Sequence, residues 1–158
     1  MTASSFESRL AELGIQLPDV AAPVAAYVPA LMHEGLIYTS GQLPFVAGAL
    51  PATGKVGEGP GLVDPAEAKG YARVCALNAL AAARSVLGSL DRVTRVVKVT
   101  GFVSSDPSFT GQPGVVNGAS ELLGEVFGDA GEHARAAVGV AVLPLDAPVE
   151  VELVLAYA

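Results

Sequence analysis

The chain has 158 residues, 51% of them hydrophobic and 16% charged, with a net charge of −7, which describes an ordered chain with one core and one domain over 1–158. No apolar run approaches the roughly 18 residues of a membrane span, and no cluster of Lys or Arg offers the counterion release that general nucleic-acid binding requires. The first residues lack the basic-then-apolar pattern of a signal peptide, so a cytoplasmic location is expected.

Ser4-Ser5-Phe6-Glu7 reads as a capping box, with Ser4 as N-cap and Glu7 three residues on. The spacing predicts a short helix through Leu10 and Leu13 to Gly14, and an extended connector follows, so that residues 1–22 form a helix and linker. Tyr27 to Met32 and Leu36 to Ser40 flank His33-Glu34-Gly35, a turn signal that predicts a β-hairpin. Pro29 cannot donate to a ladder, which puts the first strand at an edge or at its own end. His33 at the tip reads as a solvated loop residue.

Residues 45–63 form a long loop rich in Gly and Pro. It holds no GxxxxGK[ST] or GxGxxG pattern, so its glycines announce no phosphate cradle. A lid, a subunit contact and a tolerated surface insertion all suit such a segment. Asp64-Pro65-Ala66-Glu67 then starts a helix running to about Gly88, with Asp64 as N-cap and Pro65 at the first helical position. That helix is apolar around most of its circumference, which predicts burial on more than one side. Cys75 lies within it, and a buried free thiol acting as a small hydrophobe is the expected role. His33 and His133 have no partner at metal-ligand spacing, so no metal site is expected. Val96 to Val103 reads as a strand with apolar odd positions, and Val115 to Phe127 as a second helix with Asn117 near its start.

The last segment reads as a hairpin. Val138, Val140 and Val142 alternate, Ala134 and Ala136 continue that apolar face, and Arg135, Ala137, Gly139 and Ala141 make the other. Exposed charge is the usual fate of Arg, yet a face of one guanidinium and little other volume leaves room for a ligand or a neighbouring subunit. Val149 to Tyr157 alternates apolar residues with Glu150 and Glu152. A hairpin puts Arg135, Glu150 and Glu152 on one polar face, and its register sets the glutamates near Gly139 and Ala141, too far along the strands for direct contact with Arg135. A site holding Arg135 and Glu150 is then bridged by a ligand or built across two subunits. The order of elements predicts an α+β two-layer sandwich, a mixed sheet with two main helices on one face. The low charge content points to subunit contacts.

Tyr38-Thr39-Ser40-Gly41-Gln42-Leu43-Pro44, Val96-Val97-Lys98-Val99-Thr100-Gly101-Phe102-Val103, Asn117, Ala134-Arg135, Leu143-Pro144 and Val149-Glu150-Val151-Glu152 stand together in an order and spacing that resembles the reactive intermediate deaminases. This is the YjgF family, historically labelled L-PSP endoribonucleases, and the resemblance covers roughly 25–157. It implies a chorismate-mutase-like α+β fold, a homotrimer with clefts between subunits, and hydrolysis of 2-imino acids such as 2-iminobutanoate and 2-iminopropanoate to 2-keto acids and ammonia, without cofactor or metal. The carboxylate-binding arginine of the family falls on Arg135 and the glutamate associated with the hydrolytic water on Glu150. Tyr27, Ser40, Gly41 and Asn117 match further cleft positions. Ala137 stands where the family often has cysteine, and its backbone is a candidate to help grip the carboxylate. The N-terminal helix and the loop 45–63 are additions relative to shorter members. A non-catalytic binder of small carboxylates is the alternative expectation, and the acidic balance opposes a ribonuclease.

Overall fold

The computed structural model describes residues 5–23 and 25–158. Ser4, expected as an N-cap, lies outside them. Helix α1 (Phe6–Glu12) is capped by Ser5, whose hydroxyl accepts from the Ser8 amide at 3.1 Å. The carboxylate of Glu7 closes no box on its own helix. It accepts from the Leu90 amide at 2.9 Å and pairs with Arg84 at 3.3 Å, tying α1 to the end of the next helix.

Strands β1 (Ala30–His33) and β2 (Leu36–Thr39) pair antiparallel around Glu34 and Gly35. Both turn residues have positive φ, 46° and 80°, the conformation of a two-residue hairpin turn that matches strand twist. Helix α2 (Pro65–Leu87) starts at Asp64, whose side chain accepts from the Ala66 amide at 2.8 Å, with Pro65 in the first turn. Its many alanines, among them Ala72, Ala76, Ala79 and Ala83, are wholly buried and let the helix lie close to both the sheet and the second long helix.

Strand β3 (Val93–Ser104), helix α3 (Gln112–Phe127), strand β4 (Ala134–Val140) and strand β5 (Val149–Tyr157) complete the fold. The sheet order is β1-β2-β5-β3-β4, with β3 and β4 parallel and the other pairs antiparallel. This is the mixed-sheet α+β sandwich expected, with α2 and α3 packed on one face. The buried odd positions of β5, together with Ile37, Val96, Val99 and Val103, form the sheet side of the core. β1 lies at the edge, as Pro29 predicts.

Two strand expectations are corrected. In β3 the pairing with β5 slips between Val93 and Arg95 and again between Val96 and Lys98. An extra residue at each slip resets the alternation, so Val96 is buried while Val97 is 37% exposed. The second correction is larger. β4 and β5 form no hairpin, because β3 lies between them. The linker from β4 passes through a turn at Pro144–Asp146 and returns the chain to the middle of the sheet. Val138 therefore meets no helix and is 42% exposed, while Ala137 on the other side of β4 packs against the core.

The segment 45–63 is pinned at several points. Val46 bridges Ala49, and Val56, wholly buried, bridges both Val63 and Ser105. Asn78 on α2 donates to the carbonyls of Leu43 and Phe45 at 3.0 and 3.1 Å, and the Lys55 ammonium donates to the Ala141 carbonyl.

Candidate functional site

The sheet register decides which side chains share a face, since directly paired residues point the same way. Val99 pairs with both Arg135 and Leu153, placing Arg135 on the helix-covered face. Phe102 pairs with both Glu150 and Val138, placing Glu150 on the open face. The expected common polar face of Arg135, Glu150 and Glu152 does not exist: Glu150 and Glu152 lie on one side of the sheet and Arg135 on the other. Two strand spacings and about three residues of rise also separate Arg135 from Glu150, roughly 10 Å in each direction. Within one chain the candidate residues fall into two separate groups, two candidate half-sites.

The first half-site is built on β4 and the first turns of α3. Arg135 Nη1 donates to Asn117 Oδ1 at 2.7 Å and to Ser120 Oγ at 3.2 Å, and Nη2 donates to the Pro113 carbonyl at 3.3 Å. Asn117 and Ser120 stand one turn apart on α3, facing the same strand. Behind them, His133 Nδ1 lies 2.6 Å from the Gly131 carbonyl, and its Nε2 lies 2.9 Å from Ser120 Oγ. A carbonyl only accepts, so Nδ1 carries the proton, Nε2 accepts from the Ser120 hydroxyl, and the Ser120 lone pairs remain for Arg135. Sequence reasoning set His133 aside as isolated and missed Ser120. The signal was available only in the combination of a helix spacing, 117 and 120, with a residue, 133, immediately before the start of β4.

Among the described residues, these acceptors occupy three of the five guanidinium donors, leaving one on Nε and one on Nη2. Such a pair suits a planar carboxylate. Gly139, two strand positions beyond Ala137 on the same face, admits Gln112, whose amide an added Cβ would meet at 2.7 Å. Small residues along this face thus let α3 approach β4.

The second half-site lies where β2 runs past β5. Tyr38 pairs with Val154 and Gln42 bridges Val151, so one extra residue is accommodated on the first strand. The Leu153 amide is taken by Thr39 Oγ1 at 3.0 Å across this bulge. The bulge brings Gly41 against Glu150: a Cβ on Gly41 would collide with the carboxylate and lie 2.9 Å from its carbon. Ser40 is held by its hydroxyl, which donates to the Val28 carbonyl at 2.6 Å, and by its amide, which donates to the Pro29 carbonyl at 2.8 Å. Tyr27, 44% exposed, lines a small pocket with Pro29, Gly41 and Gln42. Burial raises the Glu150 carboxyl above the usual carboxylate range, and the nearby Glu152 charge adds to this. Cys75 is wholly buried beneath β5, its thiol 3.7 Å from the Val149 carbonyl, and burial pushes its pKa well up, so it is no nucleophile.

The structure brings together Arg135, Asn117 and, two positions along the strand, Ala137; it separately gathers Tyr27, Ser40, Gly41 and Glu150. An α+β sandwich of mixed sheet, with an anchored arginine at one edge and a desolvated glutamate beside a glycine bulge, defines a class in which the known proteins are close at hand. Residues 7–157 match the family described as YjgF/chorismate mutase-like, putative endoribonuclease, and the chain belongs to that family. It is 47% identical over 148 residues to the protein TCP17 of Trypanosoma cruzi, covering 92% of this chain and 89% of that protein. The crystal structure of Atu1372 from Agrobacterium tumefaciens, a protein of unknown function, is 45% identical and superposes with a TM-score of 0.87 over 97% of this chain and 92% of that one. The YjgF gene product of E. coli is 28% identical, with a TM-score of 0.63 over 87% of this chain and 93% of its own. Among the described residues no helix is long and apolar enough to cross a membrane.

Proposed function

We propose that the protein hydrolyses 2-imino acids to 2-keto acids and ammonia, in clefts completed between copies of the chain in a homotrimer. The observation that carries this reading is the Arg135 guanidinium, fixed by Asn117, Ser120 and Pro113 with two donors left for a carboxylate. Glu150 cannot reach it within one chain, so a neighbouring copy supplies the second half-site. Arg135 of one copy holds the substrate carboxylate, and a charge-assisted contact of this kind contributes about 1.5 to 3 kcal/mol. Glu150 of the neighbour orients a water and takes its proton as the oxygen attacks C2 of the protonated imine. That proton then passes to nitrogen, the C2 hydroxyl gives its own proton to Glu150 as the C–N bond breaks, and ammonia leaves as the carbonyl forms. Burial raises the Glu150 carboxyl, with the Glu152 charge adding to this, which makes it a stronger base toward the water than an exposed carboxylate. The outward backbone of β4 around Ala137, at the sheet edge, offers further donors to the carboxylate.

The anchored arginine also supports a second reading, a trimeric binder of small keto acids that performs no turnover. A ribonuclease is opposed by a net charge of −7. The test is to generate 2-iminobutanoate in situ from an amino acid with a deaminating enzyme in the presence of semicarbazide. The wild type is expected to suppress semicarbazone formation, and a folded Arg135→Ala variant is not. Absence of suppression by a correctly assembled wild type sinks the deaminase reading for this substrate.

A further inference from the structure

A cavity of about 590 Å³ lies between the connector after α1 and the start of the long loop, within the roughly 300 to 1,000 Å³ of small-molecule sites. Val20, Ala21, Ala22, Phe45 and Ala47 form its walls, and Asn78 on α2 its floor. Asn78 is 4% exposed, and its amide spends both hydrogens on the Leu43 and Phe45 carbonyls, which holds that wall in place. Among the described lining residues, Asp19 carries the one charge. The cavity is not isolated. Ala21, Ala22 and Phe45 also line the small pocket of about 30 Å³ that contains Tyr27 and Gly41, and Gly41 touches the Glu150 carboxylate. The two spaces, a wide apolar chamber and a small pocket, therefore share the Ala21, Ala22 and Phe45 wall, and the smaller one reaches the candidate reacting centre at Gly41.

We propose that this chamber is the subsite for the substrate side chain, and that the preferred substrates are 2-imino acids with an unbranched apolar chain longer than the methyl of 2-iminopropanoate. The proposal rests on the reading that the reacting carbon lies beside Gly41 and Glu150. Three features of the walls define the chain it accepts. The small pocket beside Gly41 has room for one or two water-sized groups, so a methylene chain fits there and a branch next to C2 does not. The chamber walls are apolar, so each methylene that enters leaves water for a hydrocarbon surface. Asp19 repels a second carboxylate, so dicarboxylic imines are excluded.

The stable 2-keto acid products test this without requiring turnover. The full chain is titrated by calorimetry with pyruvate, 2-ketobutyrate, 2-ketohexanoate, 2-keto-3-methylbutyrate and 2-ketoglutarate. Affinity is expected to rise about 4-fold per added methylene, with the branched and dicarboxylic acids binding no tighter than pyruvate. Val20→Trp, which fills the chamber away from the half-site, is expected to remove the gain for 2-ketohexanoate and leave pyruvate binding within about 2-fold, while Val20→Ala preserves the gain. Equal affinity for pyruvate and 2-ketohexanoate overturns the proposal, as does a Val20→Trp effect that falls on all the acids alike. If the long acids bind as expected and no imine is hydrolysed, the deaminase reading fails and the subsite stands. If imines are hydrolysed with no preference for chain length, the subsite fails alone.

Discussion

Replacing Gly41 with Ala isolates the position of one carboxylate from the rest of the protein. The added Cβ would collide with the Glu150 carboxylate and sit 2.9 Å from its carbon and 3.2 Å from Cγ, where ordinary contact begins near 3.4 Å. The carboxyl must withdraw by about 0.5 to 1 Å, and it can, because it is the free end of a flexible side chain. Stability should therefore change little. A catalytic group displaced by about 1 Å costs on the order of 10²-fold in rate, so kcat for imine hydrolysis should fall by about that factor. Keto acid affinity, set by Arg135 in the other half-site, should stay within about 3-fold. The assay is semicarbazone suppression at several substrate concentrations, with calorimetric titration of a 2-keto acid alongside. A folded Gly41→Ala protein retaining wild-type kcat would refute the placing of Glu150 as the base.

Glu150→Gln should lower kcat by about 10² to 10⁴-fold and abolish the limb of the wild-type pH profile that rises as Glu150 ionises. The same change should raise stability at neutral pH. The folded carboxyl is raised by burial, so its stabilising contribution is complete below the ordinary carboxylate range and is lost as pH rises through the raised folded value. Denaturant titrations of the two proteins should therefore converge in acid and separate at neutral pH. Arg135→Ala should raise KM and keto acid Kd by about 10- to 150-fold, and Arg135→Lys should recover only part of this, since an ammonium lacks the planar fork. Ser120→Ala and His133→Gln should each raise KM by about 2- to 10-fold with kcat nearly unchanged, because they loosen Arg135 without touching the water; an equal loss in kcat would show a different role. Gly118→Ala should destabilise the fold by about 1 to 3 kcal/mol, because its Cβ would run into the Lys69 backbone carbonyl on α2; a denaturation midpoint at the wild-type position would show that the helices separate freely.

Much of the architecture was legible in local chemistry. Asp64-Pro65 marks the start of α2, Glu34-Gly35 the turn between β1 and β2, and Pro29 the edge, because each depends on the dihedrals and hydrogen bonds of a few adjacent residues. Ser40-Gly41 and Arg135 were also visible, as a glycine turn and as a charge on a strand of small residues. Alternation in β3 misled because two slips in the ladder reset its phase, and nothing in Val96-Val97-Lys98 announces them.

Alternation along β4 and β5 establishes that each is a strand with two unlike faces, and it does so in the sequence alone. Which face of β4 meets the helices depends on its neighbour, and the neighbour is β3, entered in parallel, rather than β5. Pairing between distant strands is set by how the whole apolar surface is buried, a global property that no short stretch contains. That single choice puts Arg135 under α3, with Asn117, Ser120 and His133 around it, and leaves Glu150 on the opposite face beside Gly41. Arg135, Asn117, Gly41 and Glu150 were legible as candidates in the sequence; the company of Ser120 and His133, and the division of the candidates between two faces, were decided only when the sheet closed around β3.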